Sequence, residues 1–329
     1  MFLFGTHQRG FVRGDEAAQR RSGEAGTRVT QSPALGVIVP YVEGVVTSGD
    51  AMSEFAETLE ACGVESVWTV EHVIEAEHYE PLYPYDASGR MPGRFVPMAD
   101  PLEILAFLAA RSRRLLLGTA VIVAPLHPPV VLAKRAATLA GLSGGRLLLG
   151  LGIGWQREEY EAVGVPYADR GRRLEESVAA MRELWAHRPA TFSGRHVAFD
   201  RVHLLPPPPG DRVPIILGGN STAAVDRCGR LADGWYPHAI SPADFAVAAA
   251  RLRDAAAAAG RSPHDVSISV DPSSIDRTKW LDRDWVQHYV DHGAGRLVIR
   301  SGITGPGDVG TVRDTIERYR EQVLDRLVI

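Results

Sequence analysis

The sequence predicts an α/β protein built as a (β/α)8 TIM barrel, with insertions after the second strand and before the fifth. Three observations point there. From residue 33 onward, short β-branched or Leu-rich runs alternate with amphipathic segments rich in Ala, Arg and Glu. Eight such runs occur, each followed by a helical segment, which is the arithmetic of eight βα units. The runs are almost continuously apolar, as strands must be when a parallel sheet is covered on both faces. A doubly wound sheet is the rival, but its glycine fingerprint is missing.

Taken in order, the strands are expected at 35–40, 66–70, 115–123, 146–152, 214–217, 234–237, 266–270 and 296–300. Helices are expected at 51–62, 101–111, 129–142, 170–187, 222–230, 243–259, 282–292 and 309–324. The segment 73–99 follows strand two and holds four prolines and three tyrosines. Loops after strand C-termini carry the site of a barrel, so this insertion is a lid candidate. The segment 191–209 ends in four consecutive prolines and follows helix four. It reads as a structural hairpin plugging the bottom of the barrel. Residues 1–32 are rich in Gly, Arg, Glu and Gln without a sustained apolar period, and are expected to be a disordered N-terminal extension to a barrel domain at 33–329. The apolar run Met1–Phe4 is too short for a secretion signal.

Composition narrows the function. With 329 residues, 45% hydrophobic and 23% charged, the chain is long enough to bury roughly 75% of its unfolded surface without a metal or disulfide. The net charge of −4 leaves no basic excess for phosphate backbones, which argues against nucleic-acid binding. No uncharged apolar run is long enough to span a bilayer, so no membrane partner is expected. Cys62 and Cys228 both fall in helical segments and read as buried thiols of a cytoplasmic protein. A small-molecule substrate and a homodimeric assembly are the expected partners.

Gly150-Leu-Gly152-Ile-Gly154 follows a strand, but the third glycine of a dinucleotide fingerprint is Trp155 here. The glycines serve either close packing at the barrel rim or the close approach of a flat ligand. Glu71-His72 ends strand two, where barrel catalysis is seated, and imidazole titrates near neutrality. Gly218-Gly219-Asn220-Ser221-Thr222 joins a strand to a helix, so freed amides and a helix N-terminus favour an anion such as phosphate. Capping alone accounts for Asn220 and Ser221; the paired glycines tilt the reading towards phosphate. His288 and His292 have i, i+4 spacing but no third ligand, and no metal site is expected. Nothing matches Gly-x-Ser-x-Gly, which removes the obvious hydrolytic nucleophile. Trp155, Tyr236, His238, Tyr79, Tyr83 and Tyr85 suggest an apolar pocket with some hydrogen bonding.

Several of these stretches together resemble the bacterial luciferase-like flavin and deazaflavin oxidoreductases, and within them the coenzyme F420-dependent branch. They are Ser66-Val-Trp-Thr-Val-Glu71-His72, Leu117-Gly118-Thr119-Ala120-Val121, Pro128-Pro-Val-Val-Leu-Ala-Lys134 and Leu139-Ala-Gly-Leu-Ser-Gly-Gly-Arg146. Gly150-Leu-Gly-Ile-Gly-Trp155, Pro214-Ile-Ile-Leu-Gly-Gly-Asn-Ser221 and Ala232-Asp-Gly-Trp235 continue the series in the right order and spacing. The resemblance implies a flat isoalloxazine or deazaflavin ring at the C-terminal mouth. Glu71 and His72 would lie beside it, with His72 orienting the ring or relaying a proton. Ala120 and Val121 would form a bulge beneath the ring, with a cis peptide between them, and Gly152 would line the seat. Gly218, Gly219, Asn220 and Ser221 would hold the phosphate. Where sugar-phosphate dehydrogenases of this family carry a glutamate acid, this chain has Trp155, with Glu158 and Glu159 nearby. The resulting expectation is a coenzyme F420-dependent oxidoreductase transferring hydride to or from a small organic substrate; the alternative is an FMNH2-dependent monooxygenase on the same barrel. The retained Glu71-His72 and Gly218-Gly219 argue against a cofactor-free binding protein.

Overall fold

A computed structural model of the chain describes residues 32–91, 96–305 and 308–329. The expected N-terminal extension therefore lies outside the described residues, except for Ser32. In chain order the elements are β1 (Ala34–Ile38), α1 (Gly49–Ala61), β2 (Ser66–Thr69), α2 (Pro101–Arg111), β3 (Leu116–Thr119), β4 (Ile122–Val123), α3 (Pro129–Leu142) and β5 (Leu147–Gly152). There follow α4 (Arg157–Ala162), α5 (Arg170–Ala186), β6 (Ala190–Ser193), β7 (Ala198–Val202), β8 (Ile215–Gly218), α6 (Thr222–Leu231), β9 (Gly234–Tyr236), α7 (Pro242–Ala258), β10 (Ser267–Val270), α8 (Arg283–Asp291), β11 (Arg296–Arg300) and α9 (Thr311–Gln322).

The barrel closes in the order β1, β2, β3, β5, β8, β9, β10, β11, and β11 returns to β1. Every pairing in it is parallel; Val37 of β1 lies opposite Val67 on one side and Ile299 on the other. The third barrel strand, expected as one run over 115–123, is split. β3 pairs with β2 and with the start of β5, and β4 pairs with the end of β5 at Ile122–Leu151. The break falls at Ala120–Val121, whose peptide bond is cis, as the resemblance implied. The helix expected over 170–187 is α5, and the short α4 precedes it.

Two apolar layers explain the strand composition. Leu35, Val37, Val67, Leu117, Leu149, Leu151 and Leu217 face the helices. Trp68, Ile216, Tyr236 and Val298 fill the barrel interior, with Trp68 and Tyr236 in tilted contact at 5.1 Å. Trp68 is fully buried and donates to Ser66 Oγ at 2.9 Å. Its bulk needs glycine on both neighbouring strands. A Cβ on Gly36 would stand 2.7 Å from Trp68 Nε1, and one on Gly118 would fall inside the indole ring. Helix starts are set by local chemistry: Asp100 caps α2 ahead of Pro101, Ser48 caps α1, and Ser241 caps α7.

The hairpin expected to plug the barrel floor is an antiparallel β6–β7 pair that folds back along α5 instead. Its tip amides, His196 and Val197, donate to Glu176 Oε1 of α5 at 2.6 and 2.7 Å. Both cysteines are free and buried, as expected, and burial pushes the Cys228 thiol up to about 12. Among the described residues, no helix is long and apolar enough to cross a membrane.

Candidate active site at the C-terminal mouth

The two-residue alternation of β2 decides where Glu71 and His72 go. Ser66 and Trp68 point into the barrel, whereas Val67 and Thr69 point out. Continuing that period sends Glu71 outward and His72 inward. Glu71 is buried, and its Oε2 accepts from the Val123 amide at 2.7 Å. Both carboxylate oxygens also meet His127 Nε2, at 3.0 and 3.1 Å. Glu71 thus fastens the split third strand. The side chains of Glu71 and His72, expected together beside a ring, part to opposite sides of the strand end.

His72 Nδ1 lies 3.1 Å from Glu159 Oε2, and Glu159 Oε1 accepts from the Val73 amide at 2.8 Å. Glu159 sits on α4 and is almost fully buried. A carboxylate that accepts at Nδ1 holds the proton there and leaves Nε2 as the working nitrogen. The His72 ring meets Trp155 edge-on at 5.7 Å. The insertion after β2 reaches the same indole: Tyr79 and Tyr83 each contact Trp155 at 5.2 Å. Tyr83 also touches Tyr85, and Tyr85 meets His238 at 4.9 Å. The segment therefore spans the mouth from the β5 loop to the β9 loop, which is the position of a lid. Burial, with Tyr83 adding, pushes the Tyr85 phenol up to about 12.

Ala120 follows β3 and packs on the interior cluster of Trp68 and Tyr236. Gly150 allows β3 and β5 to approach closely: Thr119 Oγ1 donates to Gly150 O at 2.7 Å and accepts from its amide at 2.8 Å. Gly152 is occupied by packing too, since a Cβ there would run into the Val121 side chain. Gly218 lies on the other side of Val121, with 3.1 Å between its would-be Cβ and Cγ1. Gly219 adopts a left-handed φ of 111°, and a Cβ there would stand 2.8 Å from Ala224 Cβ in the first turn of α6.

The other two residues of this turn are structurally committed. Asn220 Nδ2 donates to His238 O at 2.5 Å, and its Oδ1 accepts from the His238 amide at 3.3 Å, tying the β8 and β9 loops. Ser221 Oγ caps α6 at Ala224 N, 3.3 Å away. Trp235 Nε1 binds the Gly219 carbonyl at 3.0 Å. What remains for a ligand is the pair of amides at Thr222 and Ala223 that opens α6, ahead of the capped Ala224 amide. A phosphate fits this turn because Gly219 keeps side-chain atoms out of it.

The far side of the mouth was not singled out in the sequence. Asp271 after β10 is buried; its Oδ1 accepts from the Ser273 amide and hydroxyl at 2.9 and 2.7 Å, and its Oδ2 has no hydrogen-bond partner among the described residues. Arg300 ends β11 and Arg277 lies in the short turn after β10. Burial lowers the His238 imidazole below its ordinary value, Asp271 opposes the shift, and Arg300 and Arg277 add to it. The missed partners of the expected residues are His127 and Glu159. Both belong to elements remote in sequence, so only tertiary structure could bring them to Glu71 and His72. Among the described residues, no cluster of His, Cys, Asp or Glu could hold a metal.

A closed parallel barrel whose C-terminal mouth gathers an imidazole–carboxylate pair and an open helix N-terminus has the architecture of a barrel enzyme. More specifically, the chain belongs to the luciferase-like monooxygenase family, whose family model matches residues 30–279. It is an oxidoreductase by that membership. It is 32% identical over 254 residues to the phthiodiolone/phenolphthiodiolone dimycocerosates ketoreductase of Mycobacterium kansasii, covering 70% of this chain and 67% of that protein. Among solved structures it resembles the monooxygenase RslO1 from Streptomyces bottropensis, with a TM-score of 0.70, 22% identity and coverage of 89% and 99%. The coenzyme F420-dependent tetrahydromethanopterin reductase from Methanopyrus kandleri matches with a TM-score of 0.68, 14% identity and coverage of 91% and 100%. Both structural likenesses concern the fold.

Proposed function

We propose that the protein is a monooxygenase that uses reduced FMN to oxygenate a small organic substrate at the barrel mouth. The observation that carries this reading is the family match over 30–279, together with a mouth that offers a phosphate seat and one inward imidazole. It reverses the order of the two expectations: the family description favours the flavin monooxygenase over the deazaflavin enzyme.

A reduced flavin supplies the two electrons with which one atom of dioxygen enters the substrate and the other leaves as water. The chain contributes placement and proton control. The amides opening α6, reached through Gly218 and Gly219, would bind the cofactor phosphate. Ala120, Val121 and Gly152 would back its ring, and Glu71 keeps that wall fixed by holding Val123 and His127. Nε2 of His72 would exchange a proton with the reacting groups, while Glu159 holds the imidazole in register. Tyr79, Tyr83 and Tyr85 close over Trp155 and His238 and keep water from the reaction.

The second reading is coenzyme F420-dependent hydride transfer to a carbonyl. The ketoreductase relative and the F420-dependent reductase structure favour it. Its proton would come from the same His72–Glu159 pair. Supplying FMNH2 from an NADH:flavin reductase under 18O2, with a substrate panel, tests the choice. Incorporation of one labelled oxygen supports the monooxygenase; reduction or oxidation of the panel with F420 alone, without oxygen uptake, overturns it.

A further inference from the structure

We propose that the substrate carries an anionic group, a carboxylate or phosphate, which Arg277 and Arg300 seat at the edge of the mouth. The inference rests on the reading of the mouth as a cofactor and substrate site and adds the substrate's chemical class. It starts from a contrast between two arginine-lined cavities. At the barrel floor, a cavity of about 670 Å³ is bordered by Arg182, Arg212 and Arg261. Those charges are satisfied internally: Arg182 and Arg212 bind Asp233, and Arg261 binds the carbonyls of Gly229 and Ala232. Beside the mouth, a cavity of about 410 Å³ is bordered by Arg277, Arg300 and Arg318. Arg318 lies over the Trp280 ring at 5.4 Å. Arg277 and Arg300 make no ion pair or hydrogen bond among the described residues, and both retain solvent access.

Two carboxylates oppose these three guanidinium groups: Asp314 in the cavity wall and Asp271 behind Arg300. The cavity therefore keeps a positive balance. Arg300 is the last residue of β11 and Arg277 lies in the turn that follows β10, so both stand at the C-terminal ends of barrel strands, along the mouth. In the barrel order, β11 stands four strands from β5 in either direction. Arg300 thus faces the Gly152–Trp155 rim across the mouth, away from the phosphate turn after β8. A molecule held by its anion at Arg277 and Arg300 would extend its apolar end under Trp155 and the lid tyrosines towards His72. Guanidinium groups suit this task because they form paired hydrogen bonds with carboxylate and phosphate oxygens.

The test is calorimetric titration of inorganic phosphate into the full chain, without FMN and with saturating FMN. One phosphate site should persist when FMN is bound. Arg277→Met and Arg300→Met should each weaken it about tenfold, the effect of losing one charge-assisted hydrogen-bonded partner. Arg300→Lys should recover part of the loss, and Arg212→Met at the floor should change nothing. Arg277 is exposed on a short turn, so its variant reads the site even where an Arg300 variant misfolds. Phosphate binding that is absent, that vanishes once FMN is bound, or that survives both arginine losses overturns the proposal. So does a fall in FMN or F420 affinity in Arg277→Met, which would assign the arginines to the cofactor. Failure of FMN to bind at all would count against the monooxygenase reading alone, because the FMN-free titration still reads the cavity.

Discussion

His72 stands at the mouth with Nδ1 committed to Glu159 and Nε2 without a partner among the described residues. That asymmetry is what a proton-relaying imidazole needs, since the carboxylate fixes the ring and leaves one nitrogen to the substrate. His72→Ala should lower turnover roughly a hundred-fold or more and cost about 1–3 kcal/mol of stability, because it takes a partner from the buried Glu159 carboxylate. Glu159→Gln should lower turnover less, by detaching the ring. Because the two act as a unit, the double variant should be little worse than His72→Ala alone. Steady-state kinetics with parallel thermal melts checks all three; normal turnover in His72→Ala would leave the imidazole a stacking surface against Trp155. The dipeptide Glu71-His72 was legible in sequence as a strand end at the rim. Its division of labour was not, because the deciding partners, His127 and Glu159, come from elements far along the chain.

The elements are joined by a few local devices that can be tested separately. Glu60, near the end of α1, accepts from the amides of Arg113, Arg114 and Leu115 at 2.9, 2.6 and 3.0 Å, and from Arg114 Nε at 3.0 Å. Burial presses its pKa upward, but the amides of Arg114, Leu115 and Arg113 and the Arg114 side chain outweigh it and hold the carboxyl down at about 2. A carboxyl depressed in the folded state stabilises the fold above its ordinary value of 4.5 and loses that contribution as pH falls towards 2. Glu60→Gln should therefore cost about 1–3 kcal/mol near neutrality and flatten the acid limb of the stability curve between those values, measured by urea unfolding. Inside the barrel, Gly118→Ala would drive a methyl into the Trp68 ring. The expected loss is about 1–3 kcal/mol, and a Trp68→Leu background should recover part of it; an unchanged melt in Gly118→Ala would show that the indole can move aside. The alternation of elements was legible because apolar periodicity reflects burial. The hairpin's course along α5 was not, because it depends on the single acceptor Glu176 meeting two tip amides.

For the molecule as a whole, the sequence patterning predicted the barrel well because eight strands with covering helices leave a redundant signal along the chain. The last two strands were legible as strands only, so the arginines and Asp271 that their loops bring to the mouth went unnoticed. Those loops sit beside the site through barrel closure between β11 and β1, a long-range event with no local signature. The proposed cofactor seat lies at the C-terminal ends of the neighbouring strands β3, β5 and β8. Fluorescence titration of reduced FMN and reduced F420 under anaerobic conditions, on the wild type and on Gly219→Val, tests it directly. Reduced FMN should bind the tighter of the two, and Gly219→Val should weaken it about tenfold or more by closing the turn over the amides of α6. Tighter binding of F420, or an affinity for reduced FMN that Gly219→Val leaves unchanged, would contradict the account.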